Sequence, residues 1–471
     1  MYNVALSHAQ EFIDHQEILD TLEWASAHKS DRQLIGDILE KARKGGGLTH
    51  REAAVLLECD QDDLNTAMEN IAQELKLRIY GNRIVLFAPL YLSNYCINGC
   101  TYCPYHGSNK TIPRVKLSQE DIRREVIALQ DMGHKRLALE AGEDPKHNPI
   151  EYILESINTI YSVKHKNGAI RRVNVNIAAT TVEEYRMLHE AEIGTYILFQ
   201  ETYHKETYEK LHPTGPKSNY DWHTEAMDRA MDGGIDDVGI GVLFGLNLYR
   251  YDLVGLLMHA EHLEAAKGVG PHTISVPRIR DADGIDASSF ANGIDDDTFA
   301  KIVTIIRLAV PYTGMIVSTR ESQAVRERVM RLGVSQISGG SRTSVGGYTQ
   351  EERHDETAQF DVSDTRTLDE IVRWLMEQKY VPSFCTACYR AGRTGDRFME
   401  LVKSGQIGNC CHPNALITLQ EYLEDYASAE TKSIGTQLIA KELFQIPDLK
   451  VRRLAENYLQ EGMRGKRDFR F

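Results

Sequence analysis

The chain has 471 residues, which is enough for one large barrel with smaller appended parts. Its formal net charge of −14 argues against general nucleic-acid binding, because contacts to phosphates need a basic surface. No stretch is apolar over the length of a membrane helix, and the first residues lack the basic and apolar regions of a signal peptide. We therefore expect a cytoplasmic protein with no membrane or nucleic-acid partner.

The first part of the chain, residues 1–80, is predicted to be helical. Leu34, Ile35, Ile38 and Leu39 follow helical spacing and precede a break of three glycines. A second helix is expected to begin at Thr49, with an acidic residue three positions later as in a capping box. We interpret this part as an N-terminal helical segment.

From residue 81 the pattern changes to short β-branched runs that alternate with amphipathic helices. Ser118 and Asp121 form a predicted capping box for one of these helices, and Gly133 ends it. Such alternation predicts an α/β fold, a parallel (β/α)8 TIM barrel over residues 81–348. A six-unit partial barrel is the alternative if two weak strands are miscounted. The eight predicted strands are 84–92, 136–139, 173–178, 195–200, 238–243, 273–276, 314–318 and 335–338.

The first predicted strand leads directly into the spacing Cys-x3-Cys-x2-Cys at Cys96, Cys100 and Cys103. Three thiolates leave one iron of a 4Fe–4S cluster open, and an open iron is a place for chemistry. The spacing resembles that of the radical S-adenosylmethionine (SAM) superfamily, in which SAM binds the open iron. The alternative is a structural zinc site completed by His106.

Polar residues follow several other predicted strands, and the carboxyl ends of barrel strands meet at one rim where chemistry takes place. Carboxylates there could bind an ammonium group, and an arginine could bind a carboxylate. Each of these residues could instead form an ordinary surface ion pair, so their common rim favours the functional interpretation. The candidates are Gly142, Glu143, Asp144, Gln200, Glu201, Arg278, Arg320 and Ser338.

A polar stretch at 349–362 is a predicted linker, and residues 363–471 are a predicted C-terminal helical domain with a second cysteine group. Cys385 and Cys388 are followed by the adjacent pair Cys410 and Cys411, which allows a four-cysteine zinc module. Adjacent side chains seldom both bind one metal, so three ligands and a second iron–sulfur cluster are the other interpretation. His272 precedes the sixth strand and should lie at the amino-terminal mouth, where it could bind a metal or be structural.

The combined pattern resembles the HydG family, the tyrosine lyases that mature the FeFe-hydrogenase cofactor. The resemblance covers most of residues 81–427 and includes LYLSNYCINGCTYC, GHKRLALEAGEDP, SQISGGSRTSVGGY, SFCTACYRAGRTGDRFM and CHPNALITLQEYLEDYA. The family pattern Cys-x2-Cys-x22-Cys implies Cys385, Cys388 and Cys411 as ligands of an auxiliary iron–sulfur cluster. His272 would then bind an additional iron at that site.

The resemblance implies a reaction in two stages. A 4Fe–4S cluster with SAM generates a 5′-deoxyadenosyl radical, which cleaves L-tyrosine to p-cresol and dehydroglycine. Dehydroglycine then yields carbon monoxide and cyanide on iron for assembly of the hydrogenase H-cluster. Partners implied in this way are an electron donor and other hydrogenase maturation proteins.

Site roles follow from the resemblance in the same sense. Tyr102 is expected near the adenine of SAM, and Glu143 and Asp144 near its methionine end. Arg320, with Ser338 or Arg278, is the candidate for the carboxylate of tyrosine. Two alternatives remain open: a thiamine-pathway tyrosine lyase (2-iminoacetate synthase) with a structural metal tail, and an iron–sulfur scaffold protein.

Overall fold

The structure is a computed structural model that describes residues 2–350 and 357–471. Residues 351–356, which form the middle of the predicted linker at 349–362, lie outside the described residues. Five helices precede the first strand, as the helical spacing predicts. They are α1 (Ala9–Phe12), α2 (His15–Ala27), α3 (Arg32–Lys44), α4 (His50–Glu58) and α5 (Asp62–Tyr80).

Eight parallel strands form a closed barrel in which each strand pairs with the next and the last pairs with the first. Closure joins Val85 of the first strand to Gln336 of the eighth. The eight-unit prediction is therefore confirmed and the six-unit alternative is wrong. The strands are β1 (Arg83–Ser93), β2 (Arg136–Ala141), β3 (Arg172–Asn176), β4 (Tyr196–Ile197), β5 (Val238–Gly241), β6 (Thr273–Ser275), β7 (Gly314–Val317) and β8 (Gln336–Ser338).

Helices cover the outside of the barrel, and their caps form as predicted. Ser118 and Asp121 make a capping box, and Gly133 ends that helix in the left-handed conformation, with φ of 100°. A short hairpin, Lys164–His165 with Gly168–Ala169, precedes β3. The helices are α6 (Gln119–Met132), α7 (Ile150–Ser162), α8 (Val182–Glu190), α9 (Lys205–Leu211), α10 (Tyr220–Thr224), α11 (Ala226–Asp232), α12 (Tyr249–Lys267), α13 (Asp296–Ala309) and α14 (Gln323–Leu332).

The C-terminal region is helical except for one short strand that the sequence pattern did not predict. This strand, β9 (Val381–Ser383), runs parallel to the amino-terminal part of β1, where Arg83 pairs with Val381. β2 begins its pairing only at Ala88, so the first residues of β1 have a free edge that β9 fills. The helices are α15 (Leu368–Glu377), α16 (Ala387–Arg390), α17 (Gly395–Lys403), α18 (Gly408–Asp425), α19 (Ala429–Leu443) and α20 (Leu449–Met463).

Buried apolar side chains from all three parts of the chain form one contiguous core. Helices α4 and α5 pack against α13, and α18 packs against β9, α19 and α20. This packing places the C-terminal region beneath the amino-terminal mouth of the barrel, while the boundaries assigned to separate domains stay a prediction. No helix among the described residues combines the length and the apolar character needed to span a membrane.

Candidate functional site

The first three cysteines line a cavity of about 160 Å³ at the carboxyl ends of the strands. The loop that carries them is held from outside by Arg114, whose guanidinium donates to four backbone carbonyls. These belong to Asn94 (2.6 Å), Tyr105 (2.8 Å), His106 (2.7 Å) and Asn109 (3.1 Å). The loop therefore has a fixed shape without depending on the cysteines themselves.

The residues that directly follow β2 pack against the other side of this loop. The side-chain amide of Asn98 donates to the Glu143 carboxylate at 2.6 Å, and the Ile97 amide donates to the Glu143 carbonyl at 2.9 Å. Gly142 is required for a packing reason, since a Cβ there would collide with the carbonyl of Tyr95. Gly142 lines the cavity and contacts the cysteine loop, and its predicted role toward the cofactor stays a prediction.

The thiols of this cavity are protonated when they are alone. Burial raises the pKa of Cys96, and it raises the pKa of Cys100 to about 12 and that of Cys103 to about 11. Metal ligation needs thiolates, so a positively charged group must displace these protons. Three sulfur donors that line one cavity fit a 4Fe–4S cluster, for which Cys is the usual ligand.

A single-ion site is not formed by either cysteine group. Across residues 2–350 and 357–471, no three His, Cys, Asp or Glu side chains are arranged to hold one metal ion. His106, which a zinc site would need, is not part of the cavity wall, and its Nδ1 lies 2.8 Å from the Ser108 hydroxyl. The described residues thus do not support the zinc interpretation of the first group.

Lys217 and Glu201 form an ion pair in the cavity wall, and sequence reasoning missed the lysine. The Lys217 ammonium donates to the Glu201 carboxylate at 2.7 Å. Burial alone would lower the pKa of Lys217, but the neighbouring Glu201 raises it, so the lysine stays charged. Glu201 has a φ of +69°, a conformation that costs a non-glycine residue energy and that often occurs at functional sites.

Of the two predicted substrate-binding arginines, Arg320 lines the cavity and Arg278 does not. The Arg320 guanidinium lies 3.5 Å from the ring centroid of Phe360, and no carboxylate of the described residues is within ion-pair distance of it. Arg278 is instead paired with Glu321 (3.0 Å) and Asp296 (2.8 Å). Arg320 is therefore the cation that remains available to a ligand.

The other predicted rim residues are engaged in the fold. The Gln200 amide donates to Thr224 at 2.8 Å, and the Ser338 hydroxyl accepts from the Thr319 amide at 3.2 Å. Asp144 accepts from the backbone amide of His147 and lies in a neighbouring cleft. Tyr102 does line the cavity, and its hydroxyl is 2.8 Å from Nε2 of His212.

A second cavity, of about 80 Å³, lies at the amino ends of the strands and brings together the other candidate ligands. Cys385 follows β9, Cys388 lies on α16 and Cys411 lies on α18, and all three line this cavity with His272. Cys410 is not part of the cavity wall, and its sulfur lies 3.8 Å from the Arg393 guanidinium. The structure thus separates the adjacent pair as the family pattern implies.

The pKa values of the three thiols in the second cavity are shifted in different directions by their neighbours. Burial raises the pKa of Cys385, and a hydrogen bond with Cys411 raises that of Cys388. The same hydrogen bond lowers the pKa of Cys411 to about 6, and Arg83 and Arg393 act in the same direction. This set of soft donors also fits an iron–sulfur cluster.

His272 is a buried, neutral imidazole in the wall of the second cavity. Burial lowers its pKa to about 4, so its nitrogens can accept a metal at neutral pH. The hydroxyl of Tyr389 is 2.6 Å from Nε2, and an Asp237 carboxylate oxygen is 3.3 Å from Nδ1. Sequence reasoning missed both neighbours, although Tyr389 directly follows Cys388 and could have been found by that position.

Family comparisons match two consecutive parts of the chain. Residues 90–257 match the radical SAM superfamily, and residues 275–381 match the biotin and thiamin synthesis associated domain. The 2-iminoacetate synthase of Escherichia coli (strain K12) is 31% identical over 346 residues, which cover 73% of this chain and 89% of that protein. The two family matches contain the first cysteine loop and end at residue 381, before the second cysteine group.

Two crystal structures extend the match to the second cysteine group. One of HydG, a maturase of the FeFe-hydrogenase, is 55% identical with a TM-score of 0.95 and covers 98% of this chain and 100% of that chain. The other, the FeFe-hydrogenase maturase HydG from Carboxydothermus hydrogenoformans, is 40% identical with a TM-score of 0.83 and covers 96% and 99%. With both cysteine groups inside the match, this chain belongs to the HydG family of radical SAM lyases.

Proposed function

We propose that this chain cleaves L-tyrosine to p-cresol and dehydroglycine in the first cavity. In the second cavity, dehydroglycine breaks down to carbon monoxide and cyanide, which leave on iron for assembly of the FeFe-hydrogenase H-cluster. The observation that carries this proposal is the pair of cysteine-lined cavities at opposite mouths of one barrel, the second of which contains His272. A simple lyase needs only the first.

In the first cavity the residues of the chain bind and orient the reactants. When bound to Cys96, Cys100 and Cys103, a 4Fe–4S cluster with SAM supplies the one-electron chemistry that splits SAM. Arg320 binds the carboxylate of tyrosine, since its guanidinium lies in the cavity wall without a carboxylate partner among the described residues. Glu143 and the Glu201–Lys217 pair supply charges for SAM at the opposite side of the loop.

In the second cavity, the cysteines and the histidine bind two different groups, a cluster and an additional iron. The sulfurs of Cys385, Cys388 and Cys411 would hold the auxiliary cluster, which supplies a site for dehydroglycine when it is bound. His272 binds the additional iron, which is cargo that leaves with its carbon monoxide and cyanide. A neutral imidazole suits this role because it need not lose a proton before it binds the metal. An electron donor and the other maturation proteins are the partners this function requires.

The test measures both products in one reaction. Anaerobically reconstituted protein is reduced and mixed with SAM and L-tyrosine, p-cresol is quantified, and carbon monoxide is trapped by deoxyhaemoglobin. The double variant Cys385→Ala, Cys388→Ala should form p-cresol at close to the wild-type rate and release no carbon monoxide. Cys410→Ala is the matched control, because Cys410 neighbours a ligand candidate but does not line the cavity; it should form both products.

Each alternative gives a different result in this assay. A wild-type protein that makes p-cresol but no carbon monoxide would be a simple tyrosine lyase with a structural metal tail. A protein that makes neither product with a verified first cluster would be a scaffold. Normal carbon monoxide release by the double variant would remove the second cavity from the mechanism.

A further inference from the structure

His272 is held between two polar groups that approach its ring from opposite sides. The Tyr389 hydroxyl lies 2.6 Å from Nε2, and an Asp237 carboxylate oxygen lies 3.3 Å from Nδ1. The imidazole has one nitrogen that donates and one that accepts when it is neutral. Which nitrogen can bind a metal is therefore decided by these two neighbours.

An Asp237 carboxylate oxygen lies 3.3 Å from Nδ1, which makes no hydrogen bond among the described residues, so the negative charge of Asp237 favours the tautomer that carries its proton on Nδ1. Asp237 lies immediately before β5, is 2% exposed, and one of its oxygens accepts from the Gly395 amide at 3.1 Å. This is the oxygen nearest His272; the other oxygen has no hydrogen-bond partner among the described residues and lies 3.9 Å from the Arg172 guanidinium. A carboxylate on the far side of a histidine makes the nitrogen that faces the metal a better ligand, and Asp237 occupies that position.

The Tyr389 hydroxyl lies against the far nitrogen of His272, Nε2, and both residues line the second cavity. Tyr389 directly follows Cys388 on α16, and the Arg172 guanidinium stacks against its ring. With the imidazole proton on Nδ1, the phenol hydroxyl is the donor and Nε2 is the acceptor of this hydrogen bond. The hydroxyl therefore uses the same electron pair that a metal ion would use.

We propose that Asp237 is a positioning residue that turns Nε2 of His272 toward incoming iron, and that the Tyr389 hydroxyl is a placeholder which the iron must displace. This inference rests on the proposed function, in which His272 binds the additional iron. If the Tyr389 hydroxyl only supported the imidazole ring of His272, its removal would weaken iron binding. If it is a placeholder, its removal strengthens iron binding.

The experiment measures the affinity for ferrous iron in protein that already carries both clusters, by competition with a chelator of known affinity. Tyr389→Phe should bind the additional iron about threefold to tenfold more tightly, because one net hydrogen bond no longer has to be broken. Asp237→Asn should bind it roughly tenfold more weakly, as expected for loss of a residue behind a metal ligand. His272→Ala should not bind it.

Two matched controls separate these effects from general damage. Asp236→Asn changes the carboxylate next to Asp237 in the chain. This carboxylate accepts a hydrogen bond at 2.8 Å from the hydroxyl of Thr394, which directly precedes α17, and it does not contact His272. Tyr380→Phe removes a tyrosine hydroxyl near β9 but outside the cavity wall. Both should bind iron as the wild type does, and cluster content and the thermal unfolding midpoint should be the same in all variants.

The outcomes distinguish the inference from the function on which it rests. Unchanged or weaker iron binding by Tyr389→Phe overturns the placeholder, and unchanged binding by Asp237→Asn overturns the positioning role. In both cases loss of iron in His272→Ala would leave the proposed function intact. Wild-type iron affinity in His272→Ala would instead remove the histidine from the proposed function, and the inference would fall with it.

Discussion

The two mouths of the barrel carry the same three-cysteine chemistry but are built in different ways. At the carboxyl mouth, Cys96, Cys100 and Cys103 lie on one loop that follows one strand. At the amino mouth, the ligand candidates come from β9, α16, α18 and the start of β6, more than a hundred residues apart along the chain. The first site is local, whereas the second exists only when the C-terminal region is docked beneath the barrel.

The two sites also differ in the pKa values of their thiols and in the charged groups near the sulfurs. Burial raises the pKa of all three thiols in the first site, whereas in the second site a hydrogen bond between Cys388 and Cys411 raises the pKa of Cys388 and lowers that of Cys411. The second site has Arg83 and Arg393 close to its sulfurs, and the first has Lys217, which is already paired with Glu201. The two sites share no ligand candidate, so damage at one mouth should leave the other intact, and the first and last predictions below test that independence.

The largest effect is expected from the variant Cys96→Ala, Cys100→Ala, Cys103→Ala. Without these thiolates the first cluster is not held, so cleavage of SAM should fall to background. The measurement is the 5′-deoxyadenosine formed under reducing conditions. Cys59→Ala is the control, since Cys59 is buried among the N-terminal helices and should change nothing. Continued cleavage of SAM by the triple variant would place the radical chemistry at the amino mouth and contradict the roles assigned to the two cavities.

Arg320→Gln should come next, with kcat/KM for tyrosine lower by about 100-fold and SAM cleavage largely retained. Removal of one partner from a buried charge pair costs about 3 kcal/mol, and every 1.4 kcal/mol is tenfold. Arg278→Gln is the matched control, because this arginine is paired with Glu321 and Asp296. It should lower the thermal unfolding midpoint and leave the KM for tyrosine unchanged. The reverse pattern would exchange the roles of the two arginines.

The sequence was sufficient for the barrel and for the local site because both depend on short-range patterns. All eight strands were found from short buried runs between capped helices, and the first cysteine group lies within eight residues. It was not sufficient where a role depends on a partner far along the chain. Arg278 and Arg320 look alike at two strand ends, and only the fold pairs one of them with Glu321.

The parts that were missed have the same explanation. β9 has three residues and contains Pro382, so it has no strand pattern, yet proline is tolerated at a sheet edge. Lys217 lies in a short 3₁₀ helix (Pro216–Ser218) before α10, and nothing local predicts its contact with Glu201. Asp237 could be suspected from its position before β5, but its nearness to His272 follows only from the neighbouring positions of β5 and β6.

A third prediction concerns pH and the carboxyl mouth. Asp252 on α12 accepts from the Thr202 hydroxyl and the Tyr203 amide, both at 2.8 Å, and so supports the turn that contains Glu201. Burial raises its pKa from 3.8 to about 7. A carboxyl whose pKa is higher in the folded state favours folding at low pH, and this contribution is lost as pH rises from about 4 to 7.

Asp252→Asn should therefore remove a pH dependence of the free energy of unfolding. Between pH 5 and pH 8 the wild type should lose about 2–3 kcal/mol from this group, and the variant should not. Urea unfolding at the two pH values measures the difference. Asp144→Asn is the comparison, because hydrogen bonds with His147 lower the pKa of Asp144 below 3.8 despite partial burial; this group is ionised in both states between pH 5 and pH 8, so the variant should keep the wild-type pH dependence. Equal slopes in wild type and Asp252→Asn would contradict this assignment.

The smallest effect should come from weakening the docking of the C-terminal region without touching any ligand candidate. The Phe384 amide, next to Cys385, donates to the Thr418 hydroxyl of α18 at 3.2 Å. Thr418→Val keeps the shape of the side chain and leaves that buried amide without a partner, at a cost of about 1–2 kcal/mol. Because this bond joins the strand that precedes Cys385 to the helix that carries Cys411, the cost falls on the amino mouth alone.

Exposure of the Thr418→Val holoenzyme to an iron chelator should remove the second cluster several-fold faster than in the wild type, with the first cluster lost at an unchanged rate. Loss of both clusters at the same faster rate would mean that the two mouths are coupled through the barrel and that the second site is not an independent assembly.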